Sequence, residues 1–158
     1  MSDELPPANL PMLLVNAQYL KDLSFEVPGA PTIYAELATQ PPEISVRVDL
    51  NAQPMHENRF EVTLTLSVDA TVEGKVAFIV EVAYAGVFTV NVAPEHVQQV
   101  LLIECPRLLF PFARSIIANA TQDGSFPPLL LQPIDFLALY QARAEQAAAA
   151  EPGTNTVN

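Results

Sequence analysis

Apolar and polar positions alternate with a period of two through four stretches of the first ninety residues. In MLLVNAQYLKDLSFEV (12–27) the second half places Lys21, Leu23, Phe25 and Val27 on one side and Asp22, Ser24 and Glu26 on the other. Ile44, Val46, Val48 and Leu50 alternate with Ser45, Arg47 and Asp49. Phe60, Val62, Leu64, Leu66 and Val68 alternate with Glu61, Thr63, Thr65, Ser67 and Asp69. Val76, Phe78, Val80 and Val82 alternate with Lys75, Ala77, Ile79 and Glu81, and the pattern extends through Val87, Thr89 and Asn91. Successive side chains of a strand point to opposite faces, so each stretch predicts a strand with one apolar and one wet face. The short Glu73-Gly74 turn joins the third and fourth as an antiparallel hairpin. Residues 28–42 are rich in proline, which lacks a ladder donor, and predict a long excursion between strands.

Beyond residue 92 the period changes. Pro94 followed by Glu95 marks a helix start, with proline early and acid in the first turn. HVQQVLLIEC follows, and Pro106 restarts the helix. Leu108, Phe112, Ile116 and Ala120 then recur every four residues, flanked by Leu109, Ala113 and Ile117. A helix over 107–121 that is apolar around more than half its circumference needs cover on more than one side. A sheet covers one side only, so a subunit interface is expected on the other. Pro111 should tighten or kink its first turns, and Asp123-Gly124 ends it. The loop from Ser125 to Pro133 holds Phe126, Leu129, Leu130 and Leu131 among prolines. A second helix is expected from near Ile134-Asp135 to about Ala150, with Phe136, Leu139 and Tyr140 on its apolar face.

The predicted class is therefore α+β, a four-stranded antiparallel sheet followed by two main helices in one domain over 12–150. A polar, proline-rich arm (1–11) precedes it, and EPGTNTVN (151–158) reads as a disordered tail.

Charge narrows the function. The 158 residues carry a formal net charge of −11 while half of them are hydrophobic. Clustered positive charge is absent, which argues against nucleic acid and anionic membrane surfaces as partners. Residues 1–100 hold 13 acidic and 4 basic side chains, against 5 and 3 in residues 101–158, so the strands carry most of the charge. One cysteine, Cys105, cannot form an internal disulfide. The first residues, MSDELPPANLPM, lack the basic and apolar regions of a signal peptide, and no apolar run is long enough to span a bilayer. The expected location is the cytoplasm.

Candidate chemistry is sparse. His56 beside Glu57 has the composition of a base with an orienting carboxylate, but stands in a polar connection where an exposed histidine is the ordinary outcome. Cys105 lies beside Glu104, which would raise rather than lower its pKa. Asp69, Glu73 and Glu81 crowd neighbouring strands and read more readily as a solvated acidic face than as a carboxylate pair for acid–base work. Two histidines and one cysteine, separated by 40 and 9 residues, form no metal-ligand spacing. No phosphate-binding, nucleophile-elbow or zinc-protease motif is present. The apolar loop at 126–131 with the helix face at 136–140 has the makings of a sheltered apolar groove.

Three segments then carry a resemblance. KDLSFEVPGAP (21–31) resembles the K-D-[ILV]-S-F-E-x-P-x-A-P signature of the SecB family. CPRLLFPFAR (105–114) is similar to its C-P-x-x-L-F-P-[YF]-A-R element, and GSFPPLLLQPIDFLALY (124–140) to its G-x-F-P-x-L-x-L-x-P-[IV]-[ND]-F segment. The resemblance covers roughly residues 12–146. It implies a protein-export chaperone with no enzymatic activity and no cofactor, which holds unfolded preproteins and delivers them to the translocase motor SecA. It also implies a homotetramer, with dimers formed through edge strands and joined through the first helices. Leu108, Leu109, Phe112, Ile116 and Ile117 would form that helical interface. Matched residue by residue, Asp22, Glu26, Ile79 and Glu81 would dock the basic, zinc-bearing tail of SecA. Tyr19, Phe25, Phe126, Leu129, Leu131, Phe136 and Tyr140 would line the client groove. Two rivals share these features: a general or toxin–antitoxin-associated chaperone of the same fold, and a small-molecule-binding or hydrolytic α+β domain using the same pocket.

Overall fold

The computed structural model describes residues 10–150; the tail expected at 151–158, and all of the expected arm except Leu10 and Pro11, lie outside the described residues. Four antiparallel strands form the sheet: β1 (Leu13–Glu26), β2 (Glu43–Pro54), β3 (Arg59–Val72) and β4 (Lys75–Val90). Their order is β1-β4-β3-β2, so β1 and β2 are the edges. The β3–β4 hairpin closes at Glu73-Gly74, both with positive φ (49° and 77°), the left-handed pair that matches the twist of the flanking strands. The excursion between β1 and β2 contains a short helix, α1 (Ile33–Leu37), too brief for the sequence periodicity to reveal.

The helical half is more continuous than expected. A 3₁₀ turn (Pro94–His96) leads into α2 (Val97–Gln99), a π-helical turn (Val100–Glu104) and α3 (Cys105–Asp123). Pro106 does not restart a separate helix. Its ring crowds the carbonyl four residues back and offers no N–H. The backbone widens just ahead of it, and the Cys105 N–H reaches five residues back to the Val100 carbonyl. Pro111 lies inside α3 without ending it. A final helix, α4, spans Phe136–Ala150.

The core lies between one sheet face and α3. Val62, Leu64, Leu66 and Val68 of β3 and Val80, Val82 and Phe88 of β4 are completely buried, together with Leu109, Ala113 and Ile117 of α3. This divides the five residues assigned to a subunit interface. Leu109 and Ile117 belong to the protomer's own core and present no surface to a partner. Leu108 and Phe112 are exposed, and Ile116 is half-buried. Consecutive helical residues stand about 100° apart, so 109/113/117 and 108/112/116 are different stripes. The first meets the core, and the second lies along the β1 flank of the sheet, with Ile116 beside Leu20 and Leu23. Phe112 stacks on Tyr84 at 5.7 Å between ring centroids.

Replacing Ile117 with Ala is expected to lower the unfolding free energy by about 2–5 kcal/mol, read by urea denaturation. Phe112→Ala, made in the exposed stripe, should cost less in the same assay, because half of that side chain is already in solvent.

Candidate functional site

On the core side of the sheet, beyond the end of α3, four aromatic rings gather. Phe126 sits at the centre, 4.9 Å from Phe78, 5.4 Å from Tyr34 and 6.5 Å from Phe25. Phe25 and Phe78 are 6.0 Å apart. Offset and edge contacts of this kind contribute about 0.5–1.5 kcal/mol each beyond simple burial. The rings come from β1, α1, β4 and the α3–α4 loop. They meet because Gly124 has no side chain: a Cβ there would lie 2.6 Å from the Phe25 ring. Tyr34 Oη donates to the Gly124 carbonyl at 2.7 Å.

Beside this cluster opens a cavity of about 640 Å³, lined by Tyr34, Leu37, Pro42, Ile44, Phe78, Phe126 and Leu129 among others. A second hollow of about 410 Å³ lies between Ile44, Val46 and Val48 of β2 and Leu129, Leu131 and Ile134 of the loop. Ile44 and Leu129 line both, so the two form one apolar groove along the β2 edge. The loop wall is anchored to α3. The Leu129 N–H donates to Thr121 Oγ1 at 3.0 Å, the Phe126 N–H to the Thr121 carbonyl at 3.0 Å, and Arg114 Nε to the Leu131 carbonyl at 2.8 Å. Thr121 is itself buried, its hydroxyl donating back to the carbonyls of Ile117 and Ala118.

Of the residues predicted to line a groove, Phe25, Phe126, Leu129 and Leu131 are in or against it. Phe136 is not: it is completely buried and meets Phe110 edge-on at 6.2 Å, fastening α4 to α3. Tyr140 lines neither hollow. Tyr19 lies on the other side of the sheet. It pairs with Ala85, which pairs with Thr63, and both face away from the helices. Tyr34, Leu37, Ile44 and Phe78 are groove residues that sequence reasoning missed. Phe78 and Ile44 looked like any other apolar strand position, and α1 gave no periodic signal.

The opposite face is open and acidic. Reading across β1, β4 and β3, its rows are Asp22–Ala83–Thr65, Ser24–Glu81–Ser67 and Glu26–Ile79–Asp69. Asp22, Glu26, Ile79 and Glu81, far apart in sequence, thus stand as one patch on two paired strands. Glu81 accepts from Ser67 Oγ at 3.0 Å. Lys21 also reaches this face rather than the apolar one, because the ladder slips between Leu20 and Asp22 and breaks the alternation. Its Nζ is 2.8 Å from Glu61 Oε1, and Tyr19 Oη donates to Glu61 Oε2. The Lys21 and Tyr19 contacts hold the Glu61 carboxyl below its ordinary range. Hydrogen bonding to that carboxylate, with burial and its charge, pushes the Tyr19 phenol up to about 12.

His56 and Glu57 are both highly exposed, 3.5 Å apart in the β2–β3 connection. Burial first, then Glu104, pushes the Cys105 thiol up to about 12, which leaves no thiolate for nucleophilic work at neutral pH. No cluster of potential metal ligands occurs among the described residues, and none of their helices is long and apolar enough to cross a membrane.

The family model for preprotein translocase subunit SecB matches residues 7–147. The chain belongs to the SecB family. Its relatives include the protein-export protein SecB of Paramagnetospirillum magneticum, 55% identical over 90% of this chain and 92% of that protein. That of Rhodospirillum rubrum is 52% identical over 98% and 100%. Among solved structures, a SecB-like chaperone of Mycobacterium tuberculosis, in complex with a ChAD peptide from an antitoxin, superposes with a TM-score of 0.66 at 14% identity. It covers 78% of this chain and 91% of that one, and shares the fold. The chain is thus a member of a family of protein-export chaperones, and the groove and the acidic patch are the two surfaces to be accounted for.

The Tyr19–Glu61 contact has a pH signature. The Tyr19 pKa is raised, so its contribution to stability is complete below the free phenol value near pH 10 and is lost as pH rises through about 12. Ultraviolet titration of tyrosinate should show a step near pH 12, absent from Tyr19→Phe and moved downward in Glu61→Gln.

Proposed function

We propose that this SecB-family chain is a cytoplasmic holdase: it shelters unfolded preproteins in the apolar groove and delivers them to SecA through the acidic sheet face. The observation that carries the reading is that the two surfaces lie on opposite faces of the same strands. Phe25 and Phe78 point into the aromatic cluster, while Glu26 and Ile79, the next residues along, point out of the other face. A client and a partner could therefore be held at once without competing for space.

The groove has the chemistry of a tolerant binder. Unfolded chains share exposed apolar and aromatic segments rather than a sequence, so a surface that selects for them needs apolar contact without a fixed polar code. Folded proteins bury those segments, and the groove therefore favours the denatured ensemble. On the other face, Asp22, Glu26 and Glu81 surround Ile79 and suit a cationic segment with an apolar anchor, which charge attraction would steer. We place the assembly surface at Leu108, Phe112 and Ile116 of α3 together with Leu20 and Leu23 of the β1 edge, where apolar side chains remain uncovered. Packing of these stripes would give a homotetramer.

Glu81→Lys should abolish SecA binding in a sizing or calorimetric assay and spare capture of an unfolded preprotein; equal loss of both would overturn the two-surface assignment. Leu129→Glu, which sets a charge where the two hollows meet, should do the reverse, weakening client capture about tenfold or more. Light scattering should give four times the 17.2 kDa protomer mass, and Phe112→Asp should reduce it.

A further inference from the structure

The carboxylates of the open face are not equally free. Glu61 is engaged at both oxygens, by Tyr19 and by Lys21. Asp22, Glu26, Asp69 and Glu81 form no ion pair with any described residue. The irregularity between Leu20 and Asp22 brings two consecutive residues, Lys21 and Asp22, onto one face. Opposite charges so placed attract, and the flexible stem of a lysine lets its ammonium reach either neighbour. Lys21 is nevertheless directed across β4 to Glu61 on β3. The crossing is possible because β4 carries only alanines, Ala83 and Ala85, beneath it, and Ala85 is completely buried although it lies on the open face.

We propose that Glu61 is a positioning residue for the docking face: with Tyr19 beside it, it holds the Lys21 ammonium off Asp22 and keeps Asp22 unpaired for a cationic partner segment. The proposal rests on the reading of this face as the SecA docking surface. Glu61 itself stands four residues along β3 from Thr65, the residue level with Asp22. That is about 14 Å, so Glu61 lies outside the patch it protects. Its removal should weaken docking without loss of a contact, because the released Lys21 neutralises Asp22. The loss should vanish when Lys21 is removed as well.

The experiment is SecA binding to the full-length protein and to Glu61→Gln, Lys21→Gln, the double variant and Glu81→Lys across a salt series. Glu61→Gln should bind about threefold or more weakly at low salt, and the difference should shrink as salt rises. Lys21→Gln should bind at least as tightly as the unaltered protein, and the double variant should match Lys21→Gln. Glu61→Asp keeps the charge but shortens the reach to Lys21, and should lose affinity in the same direction as Glu61→Gln. Unaltered binding by Glu61→Gln would overturn the positioning role, as would an equal loss in the Lys21→Gln background, which would make Glu61 a direct contact. Unaltered binding by Glu81→Lys would instead overturn the docking surface itself.

Discussion

A helix is narrower than the sheet it covers, and the rest of this molecule depends on that mismatch. An α-helix with its side chains is about 10–12 Å across, whereas four strands spaced by roughly 4.8 Å present a wider apolar face. Helix α3 lies over β3 and β4 and reduces Val62, Leu64, Leu66, Val80 and Val82 to zero exposure. The flanks stay uncovered. On the β2 side Ile44 and Val46 keep 41% and 40% of their surface; on the β1 side Leu20 and Leu23 keep 45% and 42%. Apolar surface thus stays exposed along both flanks. One flank holds the groove, and the other leaves Leu20 and Leu23 uncovered beside Ile116.

The groove is a built feature rather than a gap left by poor packing. Its outer wall, the loop after α3, contains few repeating backbone contacts of its own and borrows them from the helix. Thr121 and Arg114, about two turns apart on α3, accept and donate the bonds that hold Leu129 and Leu131 in place. A buried threonine whose hydroxyl both donates and accepts is stable where an unsatisfied one would be costly. The wall can therefore expose leucines to solvent without collapsing on the strands beneath. The other wall, α1, is held through Tyr34 to Gly124 and through Glu36 to Lys75 at 2.7 Å.

Much of this was legible along the chain. Strict alternation placed the apolar faces of β2 and β3 correctly, and that of β4 from Phe78 onward; before it the ladder slips between Ala70 and Thr71, and Val76 pairs with Thr71 of the wet face. The acidic patch was legible once Asp22, Glu26 and Glu81 were taken as wet positions of paired strands. What failed did so for identifiable reasons. Lys21 was assigned through an alternation that a bulge of β1 interrupts, and Tyr19 through the family resemblance, which does not say which face a strand residue occupies. Phe136 and Ile117 are apolar residues on elements with two apolar sides, and sequence cannot say which side meets the core.

The sequence by itself determined the class of fold, the four strands and two main helices, the sign of the open face and the family, since these follow from local periodicity, charge and contiguous motifs. Tertiary structure alone decided which apolar residues are core and which are surface. It brought Tyr34, Phe78 and Phe126 together from three distant segments, and it turned Lys21 toward Glu61 rather than Asp22. Each depends on where separate elements stand in space: a side chain's period names the face it occupies, and only packing says what that face meets.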